Sequence, residues 1–161
     1  MTTVLCYGDS NTHGTVPIEA IGQRRRYPRG TRWPDAMGAA LGPRYEVLAE
    51  GLPGRTTVHD DPIEGGKRSG LEVLPAILLS HEPVDLLILM LGTNDLKPRF
   101  SVTSHEIARS IERLIVTARQ ILPDLSFWPL RRPRCAPSGR CPRCSQGRKS
   151  ARSACPPFCA T

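Results

Sequence analysis

Three short turns carry groups of the kind that acyl transfer requires. They are residues 8–11 (GDSN), 51–54 (GLPG) and 92–95 (GTND), and each follows an apolar or β-prone run. Acyl transfer needs a nucleophile and hydrogen-bond donors that are directed at the developing oxyanion. A serine hydroxyl suits the first task, whereas backbone N–H groups and neutral side-chain amides suit the second.

The residue types in these turns suggest individual roles. Ser10 directly follows a predicted strand, so its Oγ can project from a sheet edge and its own N–H can point into the same space. Gly54 has no Cβ, which lets its N–H approach a substrate closely. Asn94 supplies a neutral amide donor. Each residue alone is more typical of a turn or a helix cap, but together they predict a nucleophile with a three-donor oxyanion hole.

Predicted strands and helices alternate around these turns. The apolar run 84–91 lies between Pro83 and Gly92 and is typical of a strand that is buried on both faces of a parallel sheet. Residues 103–106 (TSHE) form a capping-box pattern at the start of a helix. Strands are predicted over 3–7, 45–49, 84–91 and, as a fourth, 125–130; helices are predicted over 33–41, 71–79 and 107–122; residues 14–30 are predicted to be a loop.

This alternation predicts an α/β fold with a parallel sheet. In such sheets, sites form just beyond the carboxyl ends of the strands. We therefore expect the three turns to meet at one edge of the sheet, although they lie far apart along the chain.

The three turns resemble blocks one, two and three of the SGNH, or GDSL-type, hydrolases. The longer stretches LCYGDSNTHG, EGLPGRTT, DDPIEG and DLLILMLGTNDLK are similar to the bacterial aryl esterase branch of that family. The resemblance covers about residues 3–124. It implies a flavodoxin-like three-layer α/β/α fold, the SGNH hydrolase fold, and an esterase that acts on short-chain, including aryl, esters through an acyl-enzyme.

The resemblance also implies residue roles and partners. Ser10 matches the nucleophile, Gly54 and Asn94 match the second and third oxyanion donors, and Asp9 and Asp95 match positions that support the loops. The substrate is expected to be a small-molecule ester. No metal or cofactor is needed, and intact relatives are expected to form homo-oligomers.

The family's fourth block, a late Asp-x-x-His that supplies the base and its orienting acid, has no counterpart in this chain. The four histidines are His13, His59, His81 and His105, and none has an aspartate three residues before it. A serine without a base is a poor nucleophile. The fold is therefore expected to be incomplete at the C-terminus, and a catalytically impaired remnant of such an esterase is the alternative to an active enzyme.

The composition changes sharply near residue 125. Residues 125–161 hold eight of the 22 Lys and Arg, none of the 15 Asp and Glu, and five of the six cysteines. We divide the chain into a truncated SGNH-like domain, 1–124, and a basic tail, 125–161, that is expected to be disordered. A change of reading frame in a GC-rich gene would explain both the tail and the missing block.

Two functional alternatives for the tail remain open. Cys141, Cys144, Cys155 and Cys159 form two close pairs that suit zinc, although no flanking aromatic residues or strands support such a site. The arginines suit a nucleic-acid arm, but no interleaved aromatic residues support base stacking. A nucleic-acid partner is therefore not expected.

Other residues carry simpler expectations. His13 and His59 are expected at the surface, with the border of the pocket as the alternative for either of them. Cys6 is expected in the core, and Trp33 either in the core or in an acyl pocket. No uncharged apolar run is long enough for a transmembrane helix, and no secretory signal is visible, so a cytoplasmic location is expected.

Overall fold

The computed structural model describes residues 1–17, 23 and 25–129. In this part of the chain the strands are β1 (Thr2–Gly8), β2 (Tyr45–Gly51), β3 (Leu86–Met90) and β4 (Ser126–Pro129). The α-helices are α1 (Ser10–His13), α2 (Trp33–Leu41), α3 (Gly70–Ser80) and α4 (Ser104–Ile121), and two 3₁₀ turns cover Asn94–Leu96 and Pro98–Phe100. None of these helices is both long enough and apolar enough to cross a membrane.

The strands form one parallel sheet in the order β2-β1-β3-β4. The chain passes from β1 to β2 on one side and then returns to β3 on the other, so the strand order reverses between β1 and β3. Gly8 is paired with Gly51 of β2 and with Met90 of β3, which places the ends of these three strands side by side. The predicted flavodoxin-like α/β fold is confirmed, and the reversal point is where ligands bind in such sheets.

The larger core lies between the sheet and helices α3 and α4. Leu5 and Tyr7 of β1 and Leu87 of β3 are fully buried on this face. They pack against buried side chains of the two helices, which are Leu74, Leu78, Leu114 and Ala118. Burying a leucine of this kind contributes roughly 1.5–3 kcal/mol, so this face anchors both helices.

The opposite face of the sheet carries a smaller core against α2. Val4, Cys6 and Ile88 are buried there and contact Trp33 and Met37. Trp33 therefore packs in the core. Cys6 is buried as expected, and burial raises the pKa of its thiol to about 12, so it remains a neutral, unreactive thiol.

Helix ends follow local capping signals. The capping box that starts α4 is present, because Thr103 Oγ1 accepts from the N–H of Glu106 at 3.2 Å and the Glu106 carboxylate accepts from the N–H of Thr103 at 2.6 Å. Helix α3 starts at Gly70, one residue earlier than predicted, since Ser69 caps it by accepting from the N–H of Glu72. Strand β3 is shorter than the predicted run 84–91.

Strand β4 confirms the fourth strand that was predicted near the C-terminus. It pairs in parallel with β3, with Phe127 opposite Leu87, and Leu125 just before it is 5 % exposed. The first residues of the predicted tail, 125–161, therefore belong to the sheet. Residues 130–161, with the four cysteines on which the zinc alternative depends, lie outside the described residues.

Candidate active site

Ser10 lies at the junction between β1 and α1. The buried Asp9 is the N-cap of α1, and its Oδ1 accepts from both the backbone N–H and the side-chain amide of Asn11 at 2.8 Å. Gly14, with φ of 78°, ends the helix and donates its N–H to the carbonyl of Ser10. The Asp9 carboxylate thus fixes the turn that presents the serine at the end of the strand.

Two glycines allow α1 to lie against the ends of the strands. A Cβ on Gly51 would lie 2.1 Å from the backbone nitrogen of His13, and a Cβ on Gly8 would lie 2.1 Å from the Thr12 hydroxyl oxygen. Any larger residue at either position would push α1, and Ser10 with it, away from the sheet. The close approach therefore depends on glycine at the last residue of both β1 and β2.

Gly54 lies in a tight turn just beyond β2. The N–H of Leu52 donates to the carbonyl of Gly8 at 3.1 Å, and the N–H of Arg55 donates to the carbonyl of Leu52 at 3.0 Å. The φ of Gly54 is 80°, a conformation that glycine adopts without strain. Arg68 lies beside this turn, with its Nε 3.1 Å from the position that a Cβ on Gly54 would take.

Asn94 and Asp95 join the loop after β3 to the loop after β2. The side-chain amide of Asn94 donates to the carbonyl of Arg55 at 3.0 Å. The buried Asp95 carboxylate accepts from the N–H of Thr57 at 3.0 Å and from its hydroxyl. Asp95 is absent from the described residues that line the cleft, so its contacts hold one loop against the other.

Arg55 contacts residues at the ends of β1 and β2 through its side chain and the loop after β3 through its carbonyl, which accepts from Asn94. It is 4 % exposed, and its guanidinium donates to the carbonyls of Gly8 and Glu50, at the ends of β1 and β2. The same guanidinium lies over the Tyr7 ring, 4.1 Å from its centroid. Burial lowers the pKa of Arg55, and the neighbouring Tyr7, Glu50 and Asp9 oppose that shift. A guanidinium stays charged even when it is buried.

Ser10, Gly54 and Asn94 line a single cleft of about 1030 Å³ at the edge of the sheet. Its other described walls come from α1 and the residues after it, from Gln23, and from residues 63–68. The charged side chains in this lining are Arg25, Arg26, Arg68 and Glu64. The structure therefore brings together the three residues that were predicted to act on one substrate.

A charged cluster fixes the loop that forms one wall of the cleft. The fully buried Asp61 accepts from Lys97 Nζ at 2.8 Å and from Arg99 at 3.1 Å, and the same two cations bind Glu64. Hydrogen bonding from Lys97 is the main reason that the pKa of Asp61 and the pKa of Glu64 lie below their ordinary values. The cluster ties residues 61–64 to the loop that carries Asn94.

The histidines near the motif turns have different surroundings. The His59 ring is stacked on Phe100, with the ring centroids 5.2 Å apart, and it is absent from the described lining of the cleft. His13 is half-buried and lines the cleft together with Ser10, although a surface position was expected for it.

Comparison with known proteins identifies the family of this chain. The model of the GDSL-like lipase/acylhydrolase family matches residues 6–155. The chain belongs to this family. The match extends into the part of the tail that the structure does not describe.

Solved structures of esterases resemble the chain as well. Est24, a carbohydrate acetylesterase from Sinorhizobium meliloti, is 41 % identical over 80 % of this chain and 61 % of its own, with a TM-score of 0.71. The native aryl esterase of M. smegmatis is 35 % identical over 80 % of this chain and 63 % of its own, with a TM-score of 0.72. AlinE4, an SGNH-hydrolase family esterase, shares the fold at 22 % identity and a TM-score of 0.59.

The chain thus spans about three fifths of the length of the first two esterases. No curated protein matches it.

Apart from Asp9 and Asp95, the sequence did not reveal the residues that hold the loops of this family member together. Arg55 and Thr57 lie within the quoted GLPGRTT stretch, but nothing local indicates that one contacts β1 and the other contacts Asp95. The cluster of Asp61 with Lys97 joins positions 36 residues apart. The high density of charged residues in the DDPIEG and NDLKPR stretches was the one feature of the sequence that could have indicated this cluster.

Proposed function

We propose that this chain is an SGNH-type serine acyl hydrolase of short-chain esters. The observation that carries the proposal is the cleft that Ser10, Gly54 and Asn94 line together. These residues follow the ends of β1, β2 and β3, and the strand order reverses between β1 and β3. The family membership and the esterase structures that the chain resembles support the same chemistry.

In the proposed reaction, Ser10 Oγ attacks the ester carbonyl and loses its proton to a base. The C–Oγ bond forms, the carbonyl electrons move to oxygen, and the alkoxide then leaves to give an acyl-enzyme that water hydrolyses. The N–H groups of Ser10 and Gly54 stabilise the oxyanion. Asn94 Nδ2 uses one of its two hydrogens on the Arg55 carbonyl, which leaves the second for the oxyanion.

The proposed substrate class is acetyl and similarly short acyl esters of sugars or aromatic alcohols. The carbohydrate acetylesterase and the aryl esterase differ in the alcohol that their names specify. The open cleft leaves room for a bulky alcohol, and a carbonyl attacked by Ser10 in this cleft would bind beside Gly54 and Asn94.

Hydrolysis of 4-nitrophenyl acetate, butyrate and octanoate tests the proposal, with Ser10→Ala as the matched control. We expect hydrolysis that falls with acyl length and drops to the background rate in Ser10→Ala. Asn94→Ala should lower kcat by about 10²–10³-fold, the usual effect of losing one oxyanion donor. Equal rates for the wild type and Ser10→Ala would refute serine catalysis.

The missing Asp-x-x-His block favours a second candidate, a catalytically impaired remnant of the same family. This candidate binds an ester in the same cleft but does not turn it over through Ser10. Mass spectrometry after treatment with a fluorophosphonate separates the two candidates, because only an activated serine forms the covalent adduct.

A homo-oligomer, which the family resemblance implies for intact relatives, is part of the same proposal for this chain, and a cytoplasmic location is proposed with it. Sedimentation velocity measures the first. A monomer at every protein concentration would contradict it.

A further inference from the structure

Ser10 needs a base, and one histidine of this chain lies at the cleft. All four histidines are among the described residues, and His13 is the one of them that lines the cleft with Ser10. His81 instead pairs with Glu50, with its Nε2 2.9 Å from the carboxylate, and His105 is exposed on α4.

The position of His13 follows from the same turn that presents Ser10. The two residues are three apart on α1, a spacing that places their Cβ atoms about 5–6 Å apart on one face. The backbone of His13 is fixed at both ends: its N–H donates to the carbonyl of Asp9 at 3.0 Å, and its carbonyl accepts from Arg26 Nε at 2.7 Å.

The ring of His13 has a neighbour that orients it. Nδ1 lies 2.9 Å from the Thr15 hydroxyl oxygen. When Nδ1 donates its hydrogen to that oxygen, Nε2 carries the free lone pair and can accept a proton. Thr15 also lines the cleft, so the pair is held at its wall.

We propose that His13 acts as the general base for Ser10 in this chain, in place of the histidine of the missing block. The inference rests on the proposed function. Nε2 takes the proton of Ser10 Oγ as the C–O bond forms, and the resulting imidazolium returns it to the leaving alkoxide as the acyl–oxygen bond breaks. The same two transfers, with water as the attacking group, complete deacylation.

The surroundings keep this base neutral but make it weak. Burial lowers the pKa of His13 below its ordinary value of 6.5, and the charges of Arg26 and Arg32 lower it further. The other charged groups of the cleft are Arg25, Arg68 and Glu64. Because a neutral hydroxyl, and no carboxylate, orients the ring, the imidazolium is poorly stabilised, and we expect a slow enzyme.

Rates of 4-nitrophenyl acetate hydrolysis across pH test the inference, with the Ser10→Ala rate subtracted at each pH. The wild type should lose activity as pH falls, with a midpoint below 6.5. His13→Gln should reduce the Ser10-dependent kcat by about 10²-fold or more and abolish the pH dependence, since a positioned base contributes about 10²–10⁴-fold. Added imidazole should partly restore His13→Ala.

His105→Gln is the matched control, because it replaces an exposed histidine that is not among the described residues lining the cleft, and its profile should equal that of the wild type. Circular dichroism and urea unfolding show whether His13→Gln is folded. A folded His13→Gln with the wild-type rate and pH profile would overturn the inference and leave the proposed function intact. A wild type no faster than Ser10→Ala overturns both.

Discussion

Arg55 lies where three separate segments meet, and its contacts explain why a charged side chain is buried there. The guanidinium satisfies two carbonyl oxygens at the strand ends, and the residue's own carbonyl holds Asn94. Its removal would take one hydrogen bond from each of these carbonyls, although the Gly8 carbonyl would keep the N–H of Leu52, and a hydrogen bond from a charged donor contributes about 1.5–3 kcal/mol.

Arg55→Met should therefore lower the free energy of unfolding by about 2 kcal/mol or more. Arg55→Lys should lose less, because an ammonium can still donate, but it lacks the planar fork that reaches both carbonyls. Urea unfolding measures both values. Arg109→Met on the surface of α4 removes an exposed arginine and should change little, so equal losses at the two positions would contradict a bridging role for Arg55.

Gly51 is a second residue whose identity the packing requires. A Cβ there would lie 2.1 Å from the His13 nitrogen, so Gly51→Ala must displace α1 and should cost about 1–3 kcal/mol. Gly38→Ala in α2 is the control. Its Cβ would lie 3.4 Å from Val47, an ordinary contact, and alanine favours a helix. A Gly51→Ala variant as stable as Gly38→Ala would show that α1 can move freely.

At the scale of elements, the loop that follows β3 is joined to the loop at residues 61–64 by four charges. The pKa of Asp61 and that of Glu64 are lowered in the folded chain, mainly by hydrogen bonds from Lys97. Both carboxylates therefore bind protons less readily when the chain is folded. Their contribution to stability is present above their unfolded pKa values, 3.8 and 4.5, and is lost as pH falls through the folded values.

Asp61→Asn should thus be less stable than the wild type at neutral pH, and the difference should shrink as the solution is acidified. Urea unfolding from about pH 7 down to about pH 3 measures this trend. Glu112→Gln, in an exposed pair with Arg109 on α4, should show a small effect throughout. A constant difference between Asp61→Asn and the wild type at every pH would exclude the carboxylate's charge as the cause.

The elements were largely predictable because their signals are local. The capping box at Thr103 and Glu106 and the apolar period behind it define α4, and the apolar run before Gly92 defines β3. Helix α1 was expected only as a turn, since four residues carry no helical period. Its helical form depends on Asp9 as cap and on Gly8 and Gly51, whose effect appears only when the strands pair.

At the scale of the whole molecule, parallel pairing converts three distant turns into one site. The meeting of Ser10, Gly54 and Asn94 was predictable from the parallel sheet, because the carboxyl ends of parallel strands share an edge. The buried contacts of Arg55 with Gly8 and of Thr57 with Asp95 join residues 47 and 38 positions apart, and they leave no periodic trace in the sequence.

The last strand of the described sheet suggests how whole molecules interact. In the described residues β4 pairs on one side only, with β3, and its Trp128 is 62 % exposed. An edge that is unpaired within the described part of the chain and carries a large exposed apolar side chain favours pairing with a second chain. We therefore expect self-association that rises with concentration, and Trp128→Lys should weaken it by placing a charge on that edge.

Sedimentation velocity across a range of protein concentrations measures the association of both proteins. Leu79→Lys on α3 is the matched control, because Leu79 is 59 % exposed but lies on a helix rather than on a strand edge. If general surface hydrophobicity drives association, the two variants weaken it equally. If the edge of β4 is the contact, only Trp128→Lys weakens association strongly. Tryptophan emission of the wild type should then shift to shorter wavelength as it associates, and Trp128→Lys should lack this shift. A wild type that stays monomeric throughout would show that the edge is not a contact surface.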